Sequence, residues 1–143
     1  MARIEILDNI KDALIASGLF KKVYRNRIPE YSTVNNHPSV GIAWTKEGFL
    51  FREAYKKSRY VGEITVMFYT KQSASNKDED TISPLLDKLY CIINDRLVCS
   101  VNGVISVELG EVKRDMGTLH PLYLAEVKLM VTMQDKVTTA NCN

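Results

Sequence analysis

Two histidines, three cysteines and one acidic run are the side chains through which this chain of 143 residues could act on a bound molecule. His37 and His120 each stand directly before a proline in a polar stretch. A histidine there could serve as a base, but in such a pair it is far more often a solvated turn residue. Cys91, Cys99 and Cys142 are odd in number and irregular in spacing, so they outline neither a disulfide framework nor a zinc site. Cys91 falls in a helical pattern, where a small buried hydrophobe is expected, and Cys142 falls in a polar tail. Asp78, Glu79 and Asp80 could meet a divalent cation, yet they lack the alternating ligands and turn glycine of a calcium loop. Their place ahead of a leucine-rich segment fits the positive end of a helix dipole. No GxSxG elbow, phosphate loop, GxGxxG fingerprint or HExxH helix occurs, and the seven glycines do not cluster into a phosphate cradle. The expectation is a protein that is not an enzyme, with no cofactor and no metal.

The segment Lys46 to Arg59, KEGFLFREAYKKSR, offers a different chemistry, that of contact. It sets five basic residues (Lys46, Arg52, Lys56, Lys57, Arg59) against Glu47 and Glu53, with Phe49, Phe51 and Tyr55 interleaved. Aromatic anchors ringed by Lys and Arg suit a protein interface. The same mixture suits single-stranded nucleic acid, where bases stack on aromatic rings. Charges on an exposed hairpin also keep it soluble and discourage stray strand pairing. Subunit contact ranks first of the three, because the whole chain carries a formal charge of only +2, far from a strongly basic domain. The candidate interface residues are therefore Phe49, Phe51, Arg52, Tyr55, Lys56, Lys57 and Arg59.

The elements that must position this segment follow from periodicity. Val40, Ile42 and Trp44 alternate with Gly41, Ala43 and Thr45 ahead of it, and Tyr60, Gly62, Ile64, Val66, Phe68 and Thr70 alternate with Val61, Glu63, Thr65, Met67 and Tyr69 behind it. A period of two marks strands, so residues 46–59 read as a long hairpin arm projecting from a strand pair. Upstream, Ile6, Leu7, Ile10, Ala13 and Leu14 form one helical stripe between Ile4 and Ser17, and Gly18 suits a left-handed cap. Phe20 to Ile28 suggests a short edge strand, and Pro29 to Pro38 reads as a loop. Ile82, Leu85, Leu86, Leu89, Ile93 and Leu97 repeat at helical spacing. Ser83-Pro84 fits either N-cap and first helical residue, or a helix starting near Asp80 with Pro84 in its first turn. Val104 to Val112 alternates again, and a last strand over Leu122 to Met133 places Ala125, Val127, Leu129, Val131 and Met133 on one apolar face.

A hydrophobic share of 45% and a charged share of 25% are those of an ordinary soluble domain large enough for a core of its own. Nothing resembles a secretory signal or a bilayer-spanning run, so a cytosolic, non-membrane protein is expected. The fold class is α+β: a largely antiparallel or mixed β-sheet with two α-helices packed on one face and a long β-hairpin arm. One domain is expected over residues 1–134, with the arm at about 46–59 and a mobile tail over 135–143.

The ordered features from residue 4 to 134 resemble those of the tail terminator (tail completion, head-to-tail joining) proteins of long-tailed bacteriophages. An amphipathic helix ends in Gly18-Leu19-Phe20, a first strand holds Val23-Tyr24, and a proline-containing loop leads to Pro38-Ser39-Val40-Gly41-Ile42. An extended hairpin, the strand Ile64-Thr65-Val66-Met67-Phe68-Tyr69, an acidic turn and a leucine-rich helix follow. Two closing strands, joined through Asp115-Met116-Gly117 to His120-Pro121, complete the order. The resemblance implies a structural virion protein of tail and neck, assembled in the host cytoplasm. Its implied partners are further copies in a ring, expected to be hexameric, the tail tube protein and the head completion or connector protein, with the tail sheath as another candidate neighbour. DNA would only pass through the lumen. A head completion or neck adaptor protein and a tail tube component are the alternatives within that class, and a nucleic-acid-binding accessory protein is the alternative outside it.

Overall fold

The computed structural model describes residues 3–54, 57–71, 78–92, 104–114 and 122–136. Helix α1 spans Arg3–Ala16 and buries the stripe Ile6, Leu7, Ile10, Ala13 and Leu14. It stops as the glycine suggests. Gly18 has φ +71, its N–H bonds the Ile15 carbonyl at 3.1 Å, and the Ser17 hydroxyl donates to Leu14 O at 2.6 Å.

Strand β1 is Lys22–Arg25, shorter than the alternation from Phe20 to Ile28 suggests. Asn26 ends it by adopting φ 55, a left-handed conformation that asparagine tolerates better than most residues. Past a 3-10 turn at Tyr31–Thr33 come β2 (Ser39–Ala54) and β3 (Lys57–Lys71), then helix α2 (Asp78–Ile92), β4 (Val104–Arg114) and β5 (Leu122–Lys136). Helix α2 starts two residues ahead of Asp80, so Pro84 is its seventh residue and lies in the second turn rather than the first. Ile93 and Leu97 lie outside the described residues. Cys91 is exposed rather than buried. Among the described side chains of α2, Leu85, Leu86 and Leu89 are buried, and a residue two places beyond Leu89 falls on the opposite side of a helix.

The five strands form one mixed sheet in the order β1-β2-β3-β5-β4, with only β1 and β2 parallel. Register aligns one apolar face across it. Val40 opposes Phe68 and Ile42 opposes Val66, while Phe68, Val66 and Ile64 oppose Ala125, Val127 and Leu129. Both helices lay their buried residues on this face, in a single core with Val131 and Met133. Phe20 adds a ring stacked on Phe68, centroids 5.7 Å apart. Ile6, Ile10, Ile42, Ile64, Leu89 and Leu129 have no exposure at all, and each such side chain contributes about 1.5–3 kcal/mol on leaving water. The fold is therefore α+β, with two helices against one side of a mixed sheet. Strand β5 continues to Lys136, where it pairs with Lys57, three residues beyond the Met133 end expected from periodicity.

Candidate functional site

The segment singled out as a contact surface is the outer half of the β2–β3 hairpin. Phe49 stands opposite Tyr60, Phe51 opposite Arg59, and Ala54 opposite Lys57. Arg52 lies in β2 between these pairs. Tyr55 and Lys56 lie outside the described residues. A two-stranded arm standing clear of the domain is not what the pairing describes: β5 accompanies β3 along its whole length, from Lys71↔Leu122 to Lys57↔Lys136. The hairpin is the margin of a continuous sheet, with β5 beside β3 throughout and β4 beside β5 as far as the level of Phe49 and Tyr60.

The margin itself is open. Strand β1 pairs with β2 only from Ser39 to Ile42, and Arg27 N–H extends that cover by one bond to Ile42 O at 3.1 Å. From Ala43 to Ala54, no strand among the described residues pairs with the other side of β2. Strand β4, at the opposite margin, likewise has only β5 beside it among the described residues.

At the boundary between covered and open β2, the register slips between Trp44 and Lys46. The Trp44 indole lies across Gly62, where a Cβ of any other residue would run into the ring. Its buried Nε1 has no hydrogen bond of normal geometry. Just beyond, the Arg3 guanidinium forks onto the Glu47 carboxylate, through Nε to Oε1 and through Nη2 to Oε2 at 2.8 Å. That hydrogen bond is the main reason the Glu47 carboxyl is held below the usual carboxylate range, with the arginine charge and the Trp44 N–H as lesser influences. The start of α1 is thereby tied to the outer hairpin.

The sheet face away from the helices carries a polar network that periodicity alone could not assemble. Lys128 Nζ lies 2.8 Å from Glu126 Oε1 and 3.5 Å from Glu63 Oε1, and donates to Thr65 Oγ1 at 2.8 Å. Thr45 Oγ1 sits 3.0 Å from both Glu63 Oε1 and Thr65 Oγ1. The Glu126 hydrogen bond chiefly raises the Lys128 pKa. Burial works against the Glu63 charge, but Thr45 and Lys128 hold its carboxyl low. One lysine thus bridges two carboxylates on this face. At the far end of this face the Tyr69 hydroxyl donates to Pro29 O, and burial pushes its pKa up to about 12.

The chemical candidates do not converge. His37 has its pKa lowered by burial, then by Lys71 and Lys21, which favours the neutral imidazole. His120 lies outside the described residues. Asp78, Glu79 and Asp80 open α2, as the dipole argument expects. Among the described residues no group of His, Cys, Asp and Glu could hold a metal ion, and no described helix is long and apolar enough to cross a membrane.

No protein-family model matches the chain, and no curated protein matches it. Among solved structures, a chain of the "virion of native gene transfer agent (GTA) particle" is similar, with a TM-score of 0.54 over 90% of this chain and 91% of that one. The two are 8% identical, so the likeness is one of fold.

Proposed function

We propose that this chain is a phage-type virion structural protein. In the finer reading it is a tail terminator: copies form a ring, expected to be hexameric, on the finished tail tube. That ring stops tube growth and offers a docking surface to the head connector. One observation supports this most, the likeness of fold to a virion particle chain over nine-tenths of both molecules. The order of elements carries the resemblance to tail terminators.

The physical mechanism is asymmetric docking. A ring of identical copies requires each to present two different, mutually fitting patches. The outer β2–β3 hairpin, with Phe49, Phe51, Arg52, Tyr55, Lys56, Lys57 and Arg59, supplies one of them. Growth stops because the outward face of the ring lacks the surface on which another tube subunit would dock. DNA passes through the lumen without being read.

The test is to mix the purified protein with tail tubes and image them by negative stain. A single ring at one end of each tube is the expected result. Spontaneous filaments of the protein alone would indicate a tube subunit, and binding to the head connector but not to tubes would indicate a neck adaptor. A monomer by native mass measurement, even with tubes present, would sink the reading. Salt-sensitive retention on DNA, abolished by charge reversal at Lys56, Lys57 and Arg59, would replace it with the nucleic-acid alternative.

A further inference from the structure

The two open margins of the sheet match one another. Strand β2 has 16 residues, of which β1 pairs with four, Ser39 to Ile42. That leaves 16 − 4 = 12 residues, Ala43 to Ala54, with one side of the backbone unpaired by any described strand. Strand β4 offers 11 residues, Val104 to Arg114, in the same condition. Both runs are long for an exposed edge, and a row of unpaired N–H and C=O groups is a template for another strand.

Direction decides what that strand can be. From β2 through β3 and β5 to β4, every neighbouring pair is antiparallel. The run of four strands therefore begins and ends on opposite senses. When a second copy is set beside the first in the same orientation, its β2 meets β4 head-to-tail and antiparallel, so the alternation continues unbroken across the junction. We infer that the Val104–Arg114 edge of one copy pairs as an antiparallel strand with the Ala43–Ala54 edge of the next. This inference rests on the ring reading above and specifies how its copies join.

The rival use of the same edges is a two-fold dimer through β4 against β4, which is also antiparallel. It satisfies one margin and leaves the 12 residues of β2 open on both copies. The β4-to-β2 junction satisfies both margins of every copy, and a contact between unlike patches closes into a ring or runs on as a filament. The edges are also defended against arbitrary partners. Charged residues punctuate both, at Lys46, Glu47, Arg52 and Glu53 in β2 and at Glu108, Glu111, Lys113 and Arg114 in β4. Register breaks occur in both as well, between Trp44 and Lys46 and between Leu109 and Val112. Such features deter generic strand addition, while two copies of one sequence always bring the same pair of edges together.

Hydrogen exchange on the full chain, dilute and concentrated, tests the junction, with native mass spectrometry on the same samples. On assembly, amides in 43–54 and in 104–114 should slow together by about ten-fold or more, while those in 64–69 stay slow throughout. Protection of 104–114 alone with a dimer mass overturns the junction in favour of β4 against β4. An oligomer with neither segment protected, or a monomer at every concentration, also overturns it. Val107→Pro and Glu108→Pro provide a second readout, since neighbouring residues in a strand point their N–H groups to opposite sides. Whichever variant keeps its native melting transition should remain monomeric, and a folded variant that assembles like the parent is a further contrary result. Immunoblotting of purified particles separates the two readings: a chain present in particles with unprotected edges defeats the strand junction alone. A chain absent from particles whose edges still pair defeats the virion placement alone.

Discussion

The inner half of the β2–β3 hairpin, residues 39–44 and 64–69, is covered along its helix-facing side and, at its start, on the other face of the sheet as well. The helices cover Val40, Ile42, Ile64, Val66 and Phe68 on one face, and the segment around Pro29 closes over Gly41 and Tyr69 on the other. The outer half continues the same ladder, but β2 has no second strand beside it there among the described residues. The same two strands thus serve two ends: the inner half is fixed by burial within the chain, and the outer half keeps backbone groups in reserve for contact. Register slips between Trp44 and Lys46 where one regime gives way to the other.

The contrast makes measurable demands, and the heaviest falls on the core. Ile64→Ala removes a side chain with no exposure and should cost about 2–5 kcal/mol in urea unfolding. A loss below about 1 kcal/mol, typical of a surface site, would mean that the helix-covered face is not close-packed. Next comes one substitution at two places in one strand. A Cβ on Gly41 would lie 2.8 Å from Arg27 O and 3.2 Å from Pro29 Cδ, whereas one on Gly48 would meet nothing within 4 Å. Gly41→Ala should cost about 1–3 kcal/mol through overpacking. Gly48→Ala should leave thermal stability unchanged or raise it by about 0.4–1 kcal/mol through a stiffer unfolded chain. Equal effects at the two sites would erase the distinction between the halves.

Tyr69→Phe probes the inner enclosure more gently, removing the donor to Pro29 O at a cost of about 1–2 kcal/mol near neutral pH. The phenol is pushed up from 10.0 to about 12, so the folded state holds this proton more tightly than the unfolded chain does. Its contribution is complete below pH 10 and is lost as pH rises toward 12. The advantage of the parent over the variant should accordingly shrink in chemical denaturation repeated across that interval. The smallest effect belongs to the outer half. A double-mutant cycle with Arg3→Ala and Glu47→Gln should give a coupling of about 0.2–1 kcal/mol, weakened by salt, because both side chains are well exposed. The Glu47 carboxyl is depressed in the folded state. Its coupling is therefore present above the ordinary carboxylate pKa and disappears as pH falls through the folded value.

Much of this contrast was legible in the sequence because alternation reports one-sided burial directly. The β5 face from Ala125 to Met133, the α1 stripe and the Gly18 cap all stand where periodicity and backbone sterics put them. Pairing was not legible. Nothing local reveals that Lys128 opposes Thr65, so the network joining Glu63, Thr45 and Glu126 was missed, as was the Tyr69 clasp on a loop 40 residues upstream. The signal available was weak: Glu126 and Lys128, like Glu63 and Thr65, share a face two residues apart. The charged and aromatic run from Lys46 to Arg59 reads as a projecting arm from its composition and from the alternating strands on either side of it. Composition carries no record of a third strand running alongside.

Strand β5 finishes at Lys136 beside Lys57, and Arg3 grips Glu47, so the first and last of the described residues both approach the outer hairpin. A purification tag or fluorescent fusion joined directly before Arg3 or directly after Lys136 would crowd that region. Solution behaviour measured on a tagged sample should be compared with that of the untagged chain, and a protease-removable tag turns this placement into a way of switching association on during an experiment.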